Sequence, residues 1–567
     1  HPNCQSAGDR CANDILGGSA MIDFLQMAMN RRNLLGNGAL AAGAMMLPGR
    51  LNAATAPTSG FTHSVASGEP GPNSVLLWTR YIGADDRPVL RAEVSADAGF
   101  ATVLRHREVS ANGASDGCAK VVVDGLKPGT IYYYRFVAPD GSKSPVGRTR
   151  TLPKGALAQY KVAVFSCSNI GFGWFNAYGH AAKRDDLDLV IHVGDYLYEY
   201  PRGEYPSAAQ TVPGRLVEPA NEIVTLSDYR TRYASYRSDP DLQELHRLFP
   251  WVAIWDDHEF ANDASVHGAE NHDPKTEGDW YARKAAAKQA HSEWLPVSGK
   301  PYQRYDIGDL LSLITLDTRV EGRDKQLDMF AAVKGAPDPK AALVAFRDGP
   351  WSDPKRSLLG PAQEQWVADQ LKASVKSGHK WQLVAQQLVM GGLILPPAAA
   401  GWLAPDADKR AAAFVKVGVL AGSIGLPLSM DSWEGYNPAR MRFYKAAQAA
   451  KANLVVVSGD SHNAWANNLA LNGKPVGVEF AGQGVTSPGF ESVLGIPPKM
   501  AAADLVASNP GLKWCDLSQR GYLTVTLTPD AARSDWVFMD TVREKTLATA
   551  PGQAATVTRG SNTMVLV

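Results

Sequence analysis

The 567-residue sequence is poor in cysteine and has no net charge, and each shortage argues against a class of protein. Five scattered cysteines with no CxxC pair do not form a disulfide framework. The 57 basic residues are balanced by 57 acidic residues, which argues against dedicated nucleic-acid binding. No GxxxxGKS/T loop is present, so the usual phosphate loop of nucleotide-binding domains is missing.

The N-terminal region has the features of an export signal. Arg31 and Arg32 precede a short apolar stretch, rich in glycine and alanine, that ends in small residues near Ala53. This stretch is too short to span a bilayer stably. We interpret residues 29–54 as a twin-arginine signal peptide and expect a periplasmic or extracellular protein; an amphipathic start to the fold is the alternative. Residues 1–28 precede that signal and are interpreted as a non-native extension.

Residues 60–153 contain short apolar runs separated by turns. The pattern Leu-x-Pro-x-Thr-x-Tyr-x-Tyr, from Leu126 to Tyr134, resembles the tyrosine corner of immunoglobulin-like and fibronectin-type sandwiches. We therefore predict a small all-β domain that supports a following catalytic domain. A carbohydrate-binding surface is the alternative function for this domain.

The remainder of the chain alternates apolar runs with helical stretches, which is typical of an α/β fold. Residues 158–545 are predicted to form two sheets packed face to face and flanked by helices. Residues 546–567 are expected to form a C-terminal tail. The segment 393–427 is rich in alanine, glycine, leucine and proline, and we interpret it either as a mobile loop or lid or as a passive insertion.

Four short clusters of metal-binding residue types each follow an apolar run. Buried strands of α/β proteins read as continuous apolar runs, and open α/β sheets place ligands at the ends of their strands. The sequence therefore predicts one shared metal site. Its residues are Cys167 after run 162–165, Asp195 and Tyr198 after run 189–193, Asp257 and His258 after run 251–255, and Asp460 and His462 after run 454–457.

The residue types in these clusters suit two kinds of metal. Carboxylates prefer hard cations, whereas imidazole, thiolate and phenolate prefer transition metals. A carboxylate lying between two metals, most naturally Asp195, could bridge them. Two adjacent cations can hold both the attacking and the leaving oxygen of an in-line displacement at phosphorus.

The order of the clusters resembles the metallophosphoesterase pattern GDxxx, GNHE and GHxH, with two departures. Asp257 takes the asparagine place of this pattern, and Asp460 takes the place of its first histidine. These departures, together with Cys167 and Tyr198, resemble the PhoD family of alkaline phosphatases and phosphodiesterases. The resemblance extends over residues 60–542, and it includes Asp-Thr-Arg at 317–319, Asp-Ser-Trp-Glu-Gly-Tyr at 431–436 and Val-Glu-Phe at 478–480.

The resemblance implies a two-metal phosphohydrolase that cleaves phosphodiesters and phosphomonoesters at alkaline pH. It implies that a metal-activated hydroxide attacks the phosphorus. Ferric iron (Fe3+) and calcium (Ca2+) are the implied cofactors. The implied iron ligands are Cys167, Asp195, Tyr198 and His462; the implied calcium ligands are Asp195 and Asp460, with Asn262 as a further ligand and Asp257 beside the second metal.

His258 and two further residues, Asn169 and Arg319, are candidates for catalysis, each with a structural alternative. His258 could protonate the leaving oxygen or stabilise charge on the phosphoryl group. The alternative is a core histidine that is satisfied by Asp256 or Glu259. Asn169 could contact phosphate or form a turn amide. Arg319 could clamp phosphate in a bidentate manner or form a salt bridge within the fold.

Two other functions are kept open. The first is a phospholipase D-like hydrolase of lipid head groups, for which the apolar segment 393–427 would be suited. The second is a secreted calcium-binding protein without catalysis. The expected partner is a phosphate ester substrate, with lipid and cell-envelope substrates included, and the sequence leaves the natural substrate and the oligomeric state open.

Overall fold

The computed structural model describes residues 58–405, 407 and 409–567. The expected signal peptide at 29–54 and the expected extension at 1–28 lie outside these described residues. No described helix is long and apolar enough to cross a membrane.

The described residues form β-strands that are numbered here in chain order. They are β1 (Gly60–Gly68), β2 (Ser74–Ile82), β3 (Val89–Ser95), β4 (Arg105–Ser110), β5 (Cys118–Asp124), β6 (Ile131–Val137), β7 (Gly147–Arg150), β8 (Tyr160–Phe165), β9 (Leu189–His192), β10 (Pro250–Ala253), β11 (Gln303–Ile307), β12 (Leu311–Thr315), β13 (Trp381–Ala385), β14 (Leu454–Ser458), β15 (Ala464–Leu471), β16 (Lys474–Ala481), β17 (Leu512–Asp516), β18 (Gly521–Leu527), β19 (Ala531–Met539), β20 (Thr549–Thr558) and β21 (Met564–Leu566).

The helices of the described residues lie between these strands. They are α1 (Asn176–Ala182), α2 (Leu226–Arg237), α3 (Pro240–Leu248), α4 (Trp280–Trp294), α5 (Met329–Val333), α6 (Pro339–Asp348), α7 (Gly360–Lys376), α8 (Lys409–Gly422), α9 (Asn437–Ala450) and α10 (Pro498–Ser508).

Two large sheets form the centre of the molecule. One has the strand order β21-β20-β19-β18-β8-β9-β10-β1-β2-β5, and the other has the order β11-β12-β13-β14-β16-β15-β17. Strands β8, β9 and β10 run parallel, as do β12, β13 and β14. Val164 and Ile191 of the first sheet share a buried core with Leu383 and Val455 of the second. The predicted α/β two-sheet sandwich is confirmed.

Helices cover the outer faces of both sheets, because each sheet also has apolar side chains pointing away from the other sheet. Tyr178 of α1 and Leu242 of α3 are buried with Val190 of the ten-stranded sheet. Val367 of α7 is buried with Val456 of the seven-stranded sheet. The layers are therefore helix, sheet, sheet and helix, which buries both faces of the parallel strands.

The N-terminal β domain is a smaller sandwich. A four-stranded sheet of order β4-β3-β6-β7 packs on β1, β2 and β5, with Val65, Leu77 and Val94 in the shared core. The Tyr132 hydroxyl accepts a hydrogen bond from the Lys127 amide at 2.9 Å, as in a tyrosine corner. Strand β1 also pairs in parallel with β10, so the two domains share one continuous sheet.

The structure differs from the sequence-based expectations for two segments, 546–567 and 393–427. Residues 546–567 do not form a tail, because β20 pairs with β19 and β21 pairs with β20, which buries Ala555 and Val557. The segment 393–427 contains helix α8, whose Val415 packs in one apolar cluster with Leu395 and Trp402. The described part of that segment is therefore packed within the α/β domain.

Candidate metal centre

The four predicted clusters converge at the carboxyl ends of neighbouring parallel strands. Cys167 follows β8, Asp195 follows β9 and Asp257 follows β10, all in the ten-stranded sheet. Asp460 and His462 follow β14 of the facing sheet. Because the two sheets are stacked, their loops meet at one edge of the sandwich.

The backbone is left-handed at four of these candidate ligands. The φ angles are 56° at Cys167, 54° at Asp195, 59° at Asp460 and 58° at His462. Such conformations are unfavourable for residues other than glycine and are concentrated at functional sites. The turns that follow the strands thus hold these side chains in one place at a cost in backbone strain.

The first ligand group is made by Cys167, Asp195 and His462, whose ligand atoms lie within 4.8 Å of one another. The Tyr198 hydroxyl joins this group, at 3.1 Å from both Asp195 Oδ2 and His462 Nε2. On the far side of the imidazole, His462 Nδ1 lies 3.0 Å from the Pro488 carbonyl oxygen. A proton on Nδ1 would leave the Nε2 lone pair free to bind a metal.

Two further ligand groups adjoin the first. Asp195, Asp257 and His258 form one, and Asp256, Asp257 and Asp460 form the other, each with ligand atoms within 4.8 Å of one another. Asp195 is common to the first and second groups, and Asp257 is common to the second and third. The three groups therefore form a chain through shared carboxylates.

Buried oxygen atoms without a hydrogen bond mark where a cation fits. Asp195 Oδ1, Asp257 Oδ1 and Asn262 Oδ1 are buried and accept no hydrogen bond, although Asp257 Oδ1 lies 3.4 Å from Arg319 Nη2 in an ion pair. The Asn262 amide nitrogen donates to Glu270 Oε2 at 3.2 Å, which leaves its oxygen as the free atom. Oxygen acceptors without donors are costly when buried, and hard cations satisfy them.

The electrostatics of the site agree with this fit. Burial, reinforced by neighbouring carboxylates, raises the pKa of Asp257 and raises the pKa of Asp460 well above its ordinary value. Burial likewise raises the pKa of the Cys167 thiol and the Tyr198 phenol. Bound cations would favour the ionised forms of all four groups, because an opposite charge stabilises the anion.

His258 belongs to the second group, and one of its ring nitrogens is hydrogen-bonded while the other has no partner. Its Nδ1 lies 2.7 Å from Glu199 Oε2, while its buried Nε2 has no hydrogen-bond partner. Although burial alone lowers the pKa of His258, Glu199, Asp195 and Asp257 together raise it well above its ordinary value. The partner of His258 is therefore Glu199, and neither Asp256 nor Glu259 satisfies this ring as the alternative interpretation expected.

Glu259 instead ties two of the strand-end loops together. Its carboxylate accepts hydrogen bonds from the backbone amides of Asp195, Tyr196 and Asp256, at 3.0, 2.5 and 2.7 Å. The loops after β9 and β10 are thereby fixed relative to each other, which sets the spacing between their ligands.

Arg319 forms the salt-bridge alternative within the fold. Its guanidinium is completely buried and contacts Asp256, Asp431 and Asp460, the last two at 2.7 and 2.6 Å. A weaker contact of 3.4 Å joins Arg319 Nη2 to Asp257 Oδ1, so the guanidinium is surrounded by carboxylates of the site.

Asn169 forms the turn amide: its Oδ1 accepts from the Gly171 amide and its Nδ2 donates to the Tyr205 carbonyl.

Sequence reasoning missed three acidic residues of the centre: Glu199, Asp263 and Asp431. Glu199 directly follows Tyr198, and Asp431 begins a motif already noted, so both had a local signal. Asp263 is buried, with both carboxylate oxygens lacking a hydrogen-bond partner and a φ of 55°. Asp263 directly follows Asn262, the further calcium ligand implied by the resemblance, so it too had a local signal.

Comparisons with known proteins agree with this geometry. Residues 162–536 match the family model described as PhoD-like phosphatase, and residues 48–153 match the model of the N-terminal domain of PhoD-like phosphatase. Alkaline phosphatase D of Bacillus subtilis (strain 168) is 35% identical over 532 residues, which cover 88% of this chain and 80% of that protein.

A solved structure described as "Structure of PhoD" superimposes on the chain with a TM-score of 0.73 and 30% identity, covering 90% of this chain and 92% of that chain. Family model, sequence relative and fold agree over most of the length. The chain belongs to the PhoD-like phosphatase family.

Proposed function

We propose that this chain is a metal-dependent phosphohydrolase that cleaves phosphodiesters and phosphomonoesters at alkaline pH. The observation that carries the proposal is the chain of three buried ligand groups joined by Asp195 and Asp257. Adjacent cations held in this way suit an in-line displacement at phosphorus. The related alkaline phosphatase D supports the same reaction class.

The donor set favours ferric iron beside calcium. The thiol of Cys167, the phenol of Tyr198 and the imidazole of His462 surround Asp195, and soft or phenolate donors suit a transition metal. The oxygens of Asp195, Asp257, Asp460 and Asn262 suit calcium. When bound, the two cations would supply Lewis acidity at the phosphoryl oxygens and at the attacking water.

The protein's own residues orient the reaction. A ring nitrogen of His258 lies within 4.8 Å of carboxylate oxygens of Asp195 and Asp257; its Nε2 has no hydrogen-bond partner, and Glu199 holds Nδ1 at 2.7 Å. From there His258 can donate a proton to the leaving oxygen or a hydrogen bond to the phosphoryl group. Arg319 keeps the carboxylates of Asp431 and Asp460 in place by contacting both.

Other assignments have less support. The comparisons favour neither the phospholipase D-like hydrolase nor the non-catalytic calcium-binding protein.

We also propose export by the twin-arginine route to the periplasm or the extracellular space, on the basis of the paired arginines and the apolar stretch within residues 29–54. A cell-envelope phosphate ester would then be within reach.

Hydrolysis of matched aryl phosphodiesters and phosphomonoesters at alkaline pH tests the function. The assay is run with and without a calcium chelator, and the iron and calcium contents of the same sample are measured. We expect turnover that is lost on chelation and restored by added calcium. Absence of turnover in protein that carries both metals would contradict the proposed function.

A further inference from the structure

A cavity of about 470 Å3 lies beside the metal centre, and we call it the Tyr205 cavity. Its walls come mainly from the segment 198–217, together with Asn169, Gly171, Arg232 and Tyr236. The volume is within the range of pockets that bind small organic groups.

Tyr198 connects this cavity with the candidate ligands. Its ring lines the cavity, while its hydroxyl lies 3.1 Å from Asp195 Oδ2 and His462 Nε2. The same ring is 4.2 Å from the His258 ring between centroids. The Tyr198 side chain therefore contacts the cavity on one side and both the first ligand group and His258 on the other.

The walls are apolar and aromatic. Tyr200, Tyr205, Pro206, Val212 and Pro213 all contribute, and Leu216 adds an aliphatic side chain whose residue is 57% exposed. Exposed leucines of this kind are unremarkable alone, but one at the wall of a pocket offers apolar surface to a ligand.

The cationic side chains of the cavity are already paired. Arg202 contacts Glu218, and Arg215 contacts Asp239 at 2.6 Å. Arg232 donates to backbone carbonyls, including that of Tyr200 at 3.2 Å. Each of these guanidinium groups thus already has an acceptor within the protein, which favours a neutral occupant over a second phosphate.

Two buried donors of wall residues lack a partner. They are the Tyr205 hydroxyl and Arg215 Nη2, on residues that are 4% and 6% exposed. An ether or hydroxyl oxygen of a ligand would satisfy such donors, as water would. A neutral group with an apolar body and an oxygen acceptor fits these walls.

We propose that the Tyr205 cavity binds the neutral, ring-sized organic group of the phosphate ester, while the phosphoryl group lies at the metal centre. This inference rests on the proposed function. It assigns to the segment 198–217 the selection of esters that carry an apolar or aromatic group over esters that carry a compact one.

Two exposed neighbouring alanines give a matched test. Ala208 lines the cavity and Ala209 does not. Because both alanines are exposed, we expect tryptophan at either position to leave the core unchanged. The probes are phenylphosphonate and methylphosphonate, used as competitive inhibitors of aryl phosphodiester hydrolysis by the metal-loaded enzyme. We expect the wild type to bind phenylphosphonate about tenfold more tightly than methylphosphonate, because the ring is buried.

In Ala208→Trp we expect this preference to disappear through a rise in the phenylphosphonate inhibition constant, with the methylphosphonate constant unchanged. Ala209→Trp should retain the preference. The proposal is overturned if the wild type has no preference, if both alanine variants behave alike, or if Ala208→Trp weakens both inhibitors equally. A wild type that hydrolyses no ester and binds neither phosphonate would instead overturn the proposed function itself.

Discussion

His258 and four other buried histidines show how differently one residue type behaves in two regions of this molecule. At His63, His192 and His291 burial is the main cause that lowers the pKa to about 3, and burial lowers the pKa of His246 well below its ordinary value. At His258 burial acts in the same direction, yet three carboxylates raise the pKa well above its ordinary value.

The hydrogen bonds of the two regions differ in the same sense. His192 Nε2 lies 2.9 Å from the Tyr178 hydroxyl, and His246 Nε2 lies 3.0 Å from the Tyr196 hydroxyl, so these rings have neutral partners. His258 has the carboxylate of Glu199 on one nitrogen and no partner on the other. Neutral partners are typical of a packed core, whereas a carboxylate partner together with a free nitrogen is typical of a catalytic histidine.

The largest expected effect comes from replacing Asp195, the carboxylate near His258 that two ligand groups share. Asp195→Asn should abolish both activity and metal binding, because Asp195 is common to two ligand groups. Hydrolysis of an aryl phosphodiester and metal analysis of the purified protein measure the two outcomes. Retained activity with a full metal content would refute the bridging role of Asp195.

Replacing the candidate acid should separate chemistry from metal binding. His258→Asn should lower kcat by about a hundredfold to ten-thousandfold, the range for general acid catalysis, while the metal content stays constant. His246→Asn is the matched control, at a histidine of the packed core. It should lower the stability of the fold and leave kcat near the wild-type value. Loss of metal in His258→Asn would show that His258 acts as a ligand.

The carboxylate that distinguishes His258 can be tested next. The Glu199 carboxylate contacts His258 Nδ1 through Oε2, and it accepts hydrogen bonds from the Asn262 backbone amide and the Asn271 side chain through Oε1. Glu199→Gln replaces one of these two acceptor oxygens by an amide nitrogen. We expect kcat to fall by roughly tenfold to a hundredfold, the usual cost of losing an orienting partner, with KM and metal content little changed. Glu270→Gln, which alters a contact of Asn262 only, should have a smaller effect on kcat.

The sequence was informative where local patterns were strong. The four apolar runs correspond to β8, β9, β10 and β14, and each metal-binding cluster follows the end of its strand. The sequence pattern therefore predicted one shared site for Cys167, Asp195, Asp257 and Asp460. The tyrosine corner and the two-sheet fold followed from the same kind of pattern. These features depend on residues close in sequence.

Contacts between distant residues could not be predicted in this way. Glu199 meets His258 across 59 residues, and Asp431 meets Arg319 across 112 residues. Strands β20 and β21 extend the large sheet although their short runs resemble a tail. Such pairings depend on which sheet edge is open and which buried charge lacks a partner, and a single sequence does not specify either.

The smallest expected effect concerns the core histidines and acid stability. His63 is buried where the N-terminal domain meets the catalytic domain, with Nε2 3.2 Å from the Ala234 carbonyl oxygen. Its pKa is about 3 in the folded protein, against an ordinary value of 6.5. Below pH 6.5 the unfolded chain therefore takes up a proton that the folded chain does not, so the free energy of unfolding falls as the pH drops towards 3 and is unaffected above 6.5.

This contribution is at most about 1.4 kcal/mol per pH unit, the energy of one proton-binding difference. His63→Gln, which does not titrate, should flatten the dependence of the free energy of unfolding on pH between pH 6.5 and 5 by up to that amount. Denaturant titrations at several pH values measure the slope. An unchanged slope in His63→Gln would mean that His63 binds a proton equally in the folded and the unfolded protein. Burial would then not lower the pKa of this core histidine, and the difference between His63 and His258 would come only from the carboxylates around His258.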